Sequence, residues 1–237
     1  MFVKICGITT EADALLAVAL GADGIGFIFA PSPRQVSAQA TRRIVERVPP
    51  EILTVGVFRD EAPERVVEIV NTTGLRAAQL HGNETVEQTR YVAERVPLTI
   101  KAFRAGHRGI GRIDDYKVAF VLVDAESPGS GEVFDWRLAE GVVDPAHLIV
   151  SGGLRPDNVA DAIAHLQPYG VDVSSGVESA PGRKDPVKVR AFVAAARAAA
   201  GEDVTGGDGG GGVDGVEGVD GVEGADEEPF DWREQGG

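Results

Sequence analysis

The stretch Phe2-Val3-Lys4-Ile5-Cys6-Gly7 opens the chain with an apolar run of strand length that ends at a glycine. Because successive side chains of a strand point to opposite faces, Val3 and Ile5 share one face, while Lys4 and Cys6 share the other. Cys6 is the only cysteine in 237 residues and cannot form an internal disulfide, so its value lies in packing or in chemistry. A lysine beside a thiol on one strand face favours chemistry.

The same pattern recurs along the first 200 residues, each time followed by a segment with helical spacing of apolar residues. Ser37, Asp60 and Asp157 are candidate N-caps, and the segments on either side of the sixth strand are the weakest helix candidates. Alternating strands and helices in this number predict an α/β fold, a (β/α)8 TIM barrel over residues 1–200. The predicted strands lie near 2–6, 24–29, 53–58, 76–80, 98–103, 119–123, 147–150 and 170–173.

A doubly wound open sheet is the main alternative for alternating strands and helices. It is disfavoured because no Gly-x-Gly-x-x-Gly follows the first strand, and because polar residues follow many strands instead of clustering at one switch point. In a barrel, the carboxyl ends of all strands open on one mouth, where the active sites of this fold lie. Side-chain alternation predicts a polar upper layer inside the barrel, formed by Lys4, Cys6, Gln79, His81, Lys101, Asp124, Asp172 and Ser174.

The formal charge of −14 belongs mostly to the end of the chain. Residues 201–237 hold twelve acidic residues and one arginine, which leaves 25 acidic against 22 basic residues in 1–200. This Gly/Asp/Glu-rich segment has few large apolar side chains and cannot offset its ordering entropy by burial, so we expect a disordered acidic C-terminal tail. Residues 1–200 are expected to form one catalytic domain, whose near-neutral charge argues against a nucleic acid partner.

The sequence also bears on location and on metals. No apolar run approaches the roughly eighteen residues that span a bilayer, and no signal segment is evident, so we expect a cytoplasmic protein without a membrane partner. Four scattered histidines and one cysteine have no metal-ligand spacing, which predicts no metal site.

A set of motifs falls at the predicted strand ends and covers residues 1–200. In chain order they are Lys4-Ile-Cys-Gly-Ile-Thr9, Gln79-Leu-His-Gly82, Asp124, Gly131 to Trp136, Ser151-Gly-Gly-Leu154, Asp172-Val-Ser-Ser-Gly-Val-Glu178 and Pro181-Gly-Arg-Lys-Asp185. Together they resemble the phosphoribosylanthranilate isomerase family of tryptophan biosynthesis. The acidic tail has no counterpart in that pattern.

The resemblance implies a cofactor-free Amadori rearrangement, an aldose–ketose isomerisation of N-(5-phosphoribosyl)anthranilate to 1-(o-carboxyphenylamino)-1-deoxyribulose 5-phosphate. Opening the furanose ring requires a proton on the ring oxygen, and the resulting Schiff base must lose its C2 proton. By the resemblance, Asp124 is the acid and Cys6 the base. Each role requires a displaced pKa: burial beside Leu122 is expected to raise the pKa of Asp124, and Lys4 to lower that of Cys6.

The substrate phosphate needs several donors with little bulk around them. Gly152 and Gly153 follow the seventh predicted strand, while Ser174, Ser175 and Gly176 follow the eighth. Such loops allow close backbone approach, and loops seven and eight commonly bind phosphate in this fold. We therefore predict the phosphate site there.

The anthranilate carboxylate needs a cationic partner. Arg34, in the loop after the second strand, matches the family position, and its planar guanidinium suits a carboxylate. Gln79, His81 and Asp172 complete the predicted substrate-binding set. His81 is equally a candidate for a hydrogen-bonded structural residue.

Two other functions stay open: another phosphosugar isomerase or epimerase barrel, and a non-catalytic phosphosugar-binding protein. The former would carry an aspartate in place of Cys6 or would need a metal site, and the latter would not need both Cys6 and Asp124. The loop after Asp124 is shorter and more acidic than is usual in the family, so Glu126 or Glu132 is an alternative acid. The predicted partner is a small-molecule phosphosugar; the sequence does not decide between a monomer, a homodimer and association with other tryptophan-pathway enzymes.

Overall fold

The eight predicted strands close into one parallel barrel. The structure, a computed structural model, describes residues 1–124 and 144–202. Each strand pairs with the next in the chain, and the eighth pairs with the first, which confirms the (β/α)8 prediction. The barrel strands are β1 Phe2–Ile5, β2 Gly24–Ile28, β3 Leu53–Phe58, β4 Ala77–Leu80, β5 Thr99–Arg104, β6 Phe120–Asp124, β7 Leu148–Val150 and β8 Gly170–Val173.

Helices contribute to an outer apolar layer around the strands. They are α1 Glu11–Ala19, α2 Ala38–Val45, α3 Pro63–Thr73, α4 Val86–Ala93, α5 Val159–Leu166 and α6 Pro186–Ala199. Between β5 and β6, where the helical pattern was weak, the chain forms the 3₁₀ helix Arg108–Asp115. After β8, a 3₁₀ turn leads into a small antiparallel hairpin of β9 Glu178–Ala180 and β10 Arg183–Lys184.

One of the three candidate N-caps is confirmed. Ser37 caps α2, since its hydroxyl accepts a hydrogen bond from the backbone N–H three residues on. The predictions of Asp60 and Asp157 as N-caps were wrong, because Ala62 and Asn158 occupy the N-cap positions of α3 and α5. α3 instead begins with a proline, whose missing N–H leaves no unpaired donor at that position.

Alternate strand residues divide the core into two layers. Outward residues such as Val3 and Ile5 pack with the helices, while inward residues fill the barrel interior. The polar layer lies above this filling, toward the carboxyl ends of the strands, and Lys4, Gln79, Asp124 and Asp172 are all buried there. The interior apolar cluster consists of Leu53, Val55, Ala77, Ile100, Ala102, Phe120, Leu122 and Ile149.

Lys101 lies on the opposite face from the one predicted. Its neighbours Ile100 and Ala102 belong to the interior cluster, so strand alternation turns Lys101 to the other face, and its long side chain reaches the loop after β4 at the mouth of the barrel. There its Nζ donates to Glu84 Oε2 at 2.7 Å and to two carbonyl oxygens at and just beyond the end of β4. A buried charge is tolerated only when it is paired and hydrogen-bonded, and Glu84 meets that need on the outer face.

The chain from Met1 to Val204 forms one compact unit. The last helix of this unit is tied to its first residue, because Arg197 of α6 donates to the carbonyl oxygen of Met1. The predicted disordered tail lies outside the described residues from position 203 onward, and so does the loop with Glu126 and Glu132. Among the described helices, none is long and apolar enough to cross a bilayer.

Candidate active site

A cavity of about 670 Å³ opens at the carboxyl ends of the barrel strands. The polar inner layer forms its floor, and the loops after the strands form its walls. Every site residue predicted from the sequence lines it: Cys6, Arg34, Gln79, His81, Asp124, Gly152, Gly153, Asp172, Ser174, Ser175 and Gly176. In the described ranges, no group of three or more His, Cys, Asp or Glu side chains is placed to hold a metal ion.

Lys4 is fully buried behind two residues that line the cavity, Gln79 and Asp172. Its Nζ donates to Asp172 Oδ1 at 2.9 Å and to Gln79 Oε1 at 3.0 Å. Burial alone lowers the pKa of the Lys4 ammonium, but the neighbouring Asp172 and Cys6 groups outweigh it, so the pKa lies above its ordinary value. At neutral pH, Lys4 therefore carries a positive charge inside the barrel.

His81 connects this floor to Asp124. Its Nδ1 lies 3.0 Å from Gln79 Nε2, and its Nε2 lies 3.0 Å from Asp124 Oδ2. Both polar atoms of the Gln79 amide thus have a partner within the protein, and Gln79 is fully buried. Of the two readings of His81 left open by the sequence, a hydrogen-bonded structural residue and a substrate contact, the structure provides the hydrogen bonds for the first.

Cys6 directly follows β1, on the same face as Lys4, and is buried, with 5% of its surface exposed. Burial raises the pKa of the Cys6 thiol above its ordinary value, although the ammonium groups of Lys4 and Lys184 lower it. The influence of Lys4 has the predicted direction, but the predicted net lowering was wrong because burial outweighs it. Sequence reasoning weighed the nearby charge without knowing the depth of the thiol.

Gly26 in β2 provides the space for that thiol. A Cβ placed on Gly26 would lie only 2.7 Å from the Cys6 sulfur, closer than real Cβ contacts allow. The residue therefore decides where the sulfur sits, although it carries no functional group. Sequence reasoning missed it, and the only signal was a glycine in a strand interior, which often marks close approach.

Arg34 is held by a carboxylate of the protein itself. Its Nε and Nη2 donate to the two carboxylate oxygens of Glu178 at 2.8 and 2.7 Å, and Lys184 Nζ donates to the same carboxylate at 3.0 Å. Burial alone would raise the pKa of Glu178, but Arg34 and Lys184 hold it below its usual range. Gly7, with φ +75°, leaves room for the Arg34 stem, since a Cβ there would lie 2.7 Å from Arg34 Cδ.

The loops after β7 and β8 touch each other. A Cβ on Gly176 would lie 1.9 Å from the carbonyl oxygen of Leu154, so only glycine fits there. Gly152 and Gly153 both adopt positive φ, at +87° and +65°, a region that favours glycine. The Ser174 hydroxyl is buried and has no hydrogen-bond partner in the part of the chain that the structure describes. These features suit a ligand with many oxygen atoms.

A closed barrel with a thiol, a carboxyl group and glycine-rich loops around one mouth defines a (β/α)8-barrel enzyme. The sequence model for N-(5'-phosphoribosyl)anthranilate isomerase matches residues 3–195. The chain belongs to this family. It is therefore an isomerase of tryptophan biosynthesis, as the resemblance implied.

Individual relatives agree with this assignment. The N-(5'-phosphoribosyl)anthranilate isomerase of Desulforudis audaxviator is 49% identical over 204 residues, which are 83% of this chain and 98% of that protein. A solved phosphoribosyl anthranilate isomerase in complex with reduced 1-(o-carboxyphenylamino)-1-deoxyribulose 5-phosphate has a TM-score of 0.74 at 41% identity, covering 84% of this chain and 99% of that one. Monomers generated from the dimeric Thermotoga maritima enzyme have a TM-score of 0.74 at 40% identity, with 84% and 99% covered.

Gly26→Ala should impair the thiol specifically. The added methyl displaces the Cys6 sulfur, so kcat should fall by at least about tenfold, with a loss of stability of about 1–3 kcal/mol from overpacking. Gly56→Ala in β3 is the matched control, because its Cβ would crowd Phe58 and Leu75 at 2.8 and 2.9 Å, away from the thiol. Steady-state kinetics and thermal unfolding of both variants check this. Equal kcat in the two variants would contradict the role of Gly26.

Lys4→Met should make the thiol harder to ionise. Removing the ammonium removes an influence that lowers the pKa of Cys6, so the pH midpoint of iodoacetamide alkylation should move upward. Lys101→Met is the control, because it removes another buried lysine that is not among the charges acting on the pKa of Cys6, and its alkylation midpoint should not move. An unchanged midpoint in Lys4→Met would show that Lys4 does not act on the thiol.

Proposed function

We propose that the chain converts N-(5'-phosphoribosyl)anthranilate to 1-(o-carboxyphenylamino)-1-deoxyribulose 5-phosphate, with Cys6 as the base and Asp124 as the acid. The observation that carries the proposal is the placement of both groups at one cavity, at the mouth ends of β1 and β6. Strands β7 and β8 lie between them in the barrel and carry the two glycine-rich loops. A phosphate held by those loops would leave the pentose between thiol and carboxyl.

The reaction needs one acid and one base. Asp124 protonates the ring oxygen while the anthranilate nitrogen forms a double bond to C1, and the bond between C1 and the ring oxygen breaks. The Cys6 thiolate then removes the proton from C2 of this Schiff base, and the electron pair of that bond forms the enolamine. Return of the proton from the Cys6 thiol to C1 and transfer of the C2 hydroxyl proton to the Asp124 carboxylate give the ketose and restore both groups. Electrons and protons balance without an added oxidant or reductant.

Charge around Cys6 supports a thiolate as the base. Lys4 is paired with Asp172, while Arg34 and Lys184 share the single carboxylate of Glu178. These five groups carry one positive charge in excess, which a thiolate at Cys6 would neutralise. Because burial raises the pKa of the thiol, the thiolate is also a stronger base toward a C–H bond than an ordinary one.

Arg34 remains the proposed partner of the anthranilate carboxylate, but only part of its guanidinium group is available to the substrate. Glu178 occupies its Nε and Nη2 edge, so the substrate carboxylate would be bound through the Nη1 group. Glu178 thereby aims the guanidinium before substrate arrives. Asp172, Gln79 and His81 would act from the floor, and the phosphate would bind the loops that carry Gly152, Gly153, Ser174, Ser175 and Gly176.

Location and assembly are finer proposals. We propose a cytoplasmic enzyme whose partner is the small-molecule phosphosugar, supported by its biosynthetic family and by the relative solved with a product analogue. A homodimer is supported by the dimeric Thermotoga maritima relative alone.

Loss of substrate fluorescence during turnover tests the acid and base directly. Cys6→Ala and Asp124→Asn should each lower kcat by at least about 10²–10⁴-fold, because each removes a proton-transfer group. Glu126→Gln, which removes the alternative acid, should stay within about threefold of the parent chain. Near-normal turnover in Asp124→Asn together with a large loss of turnover in Glu126→Gln would assign the acid role to Glu126. Normal turnover in Cys6→Ala would refute the thiol as the base.

A further inference from the structure

A continuous chain of side-chain hydrogen bonds crosses the barrel interior. It runs from Asp172 through Lys4, Gln79 and His81 to Asp124, with contacts of 2.9, 3.0, 3.0 and 3.0 Å in that order. Lys4 and Gln79 are fully buried, so water does not compete for the bond between them. Asp172, Lys4, Gln79 and Asp124 lie on four different strands, β8, β1, β4 and β6, which the closed barrel brings together, and His81 directly follows β4.

The direction of the chain is determined at Lys4. An ammonium group only donates hydrogen bonds, so the atom of Gln79 that faces Lys4 must be the amide oxygen. The amide nitrogen then faces His81, and a flipped amide would place two donors against each other beside a buried charge. Lys4 therefore orients the Gln79 amide.

The same logic assigns the proton of His81. The Gln79 amide nitrogen can only donate, so His81 Nδ1 must accept and carries no proton. A neutral imidazole then has its proton on Nε2, the atom that lies 3.0 Å from Asp124 Oδ2. His81 consequently donates to Oδ2, and a protonated Asp124 holds its own proton on Oδ1.

We infer that Gln79 is a positioning residue. Its amide oxygen accepts from Lys4, so its amide nitrogen donates to His81 and holds His81 in the Nε2–H tautomer. That tautomer directs the acidic proton of Asp124 to one carboxyl oxygen. The inference rests on the proposed role of Asp124 as the acid. It explains why an uncharged amide is buried between a lysine and a histidine, where a carboxylate would pair more strongly with Lys4. A carboxylate at position 79 would accept hydrogen bonds from both Lys4 and His81. The bond to His81 Nδ1 would then run in the opposite direction, with His81 as the donor.

The experiment is ¹⁵N NMR of the chain labelled at histidine, with the His81 signals assigned by their loss in His81→Gln. In the parent chain, the ¹⁵N chemical shift of His81 Nδ1 should be that of an unprotonated nitrogen, and that of His81 Nε2 the shift of a protonated one. In Gln79→Glu, Nδ1 should acquire a proton, kcat should fall by at least about tenfold, and KM should stay within about twofold. The control Gln88→Glu adds the same charge in the capping box of α4, where Glu also serves, and should change none of these.

Two results would overturn the inference. A protonated Nδ1 in the parent chain refutes the deduced direction, whether or not any variant folds. An unchanged kcat in a folded Gln79→Glu whose Nδ1 is protonated shows that the tautomer does not matter for catalysis. Failure of the proposed acid would be recognised separately, since Asp124→Asn would then turn over normally while the NMR signature of His81 in the parent chain stayed as deduced.

Discussion

The site depends on one buried positive charge. Lys4 has no exposed surface, so its ammonium group must be satisfied inside the barrel, and Asp172 and Gln79 do so at 2.9 and 3.0 Å. That single requirement orients the Gln79 amide and brings a cation to the thiol of Cys6. A barrel filled only with branched aliphatic side chains would need none of these partners.

Closure of the barrel makes this arrangement possible. β1 pairs with β8 so that Lys4 lies beside Asp172 in register, although 168 positions separate them in the chain. Inward residues come from alternate positions of every strand, so one residue of register shift would exchange the polar floor for the outer apolar layer. Glycines at positions 26 and 176 then admit the thiol and the neighbouring loop where any Cβ would collide.

Much of the fold followed from the sequence, because strand alternation and strand length are local properties. Alternation identified Lys4, Cys6, Gln79 and Asp172 as inward, and they line or floor the cavity. It failed at Lys101, whose partner Glu84 lies in another loop and stabilises the charge on the outer face. The sequence pattern did not predict the Arg34–Glu178 pair, because that pair joins two segments that are distant in the chain. It also did not predict the raised pKa of Cys6, because that pKa depends on how deeply the thiol is buried.

A crystal structure of this chain with reduced 1-(o-carboxyphenylamino)-1-deoxyribulose 5-phosphate measures the central claim most directly. The account predicts C2 of the sugar within about 3.5 Å of the Cys6 sulfur, the hydroxyl derived from the ring oxygen within hydrogen-bond reach of Asp124, and the phosphate on the loops after β7 and β8. A ligand whose pentose contacts only one of the two groups, or whose phosphate binds elsewhere on the rim, would contradict it.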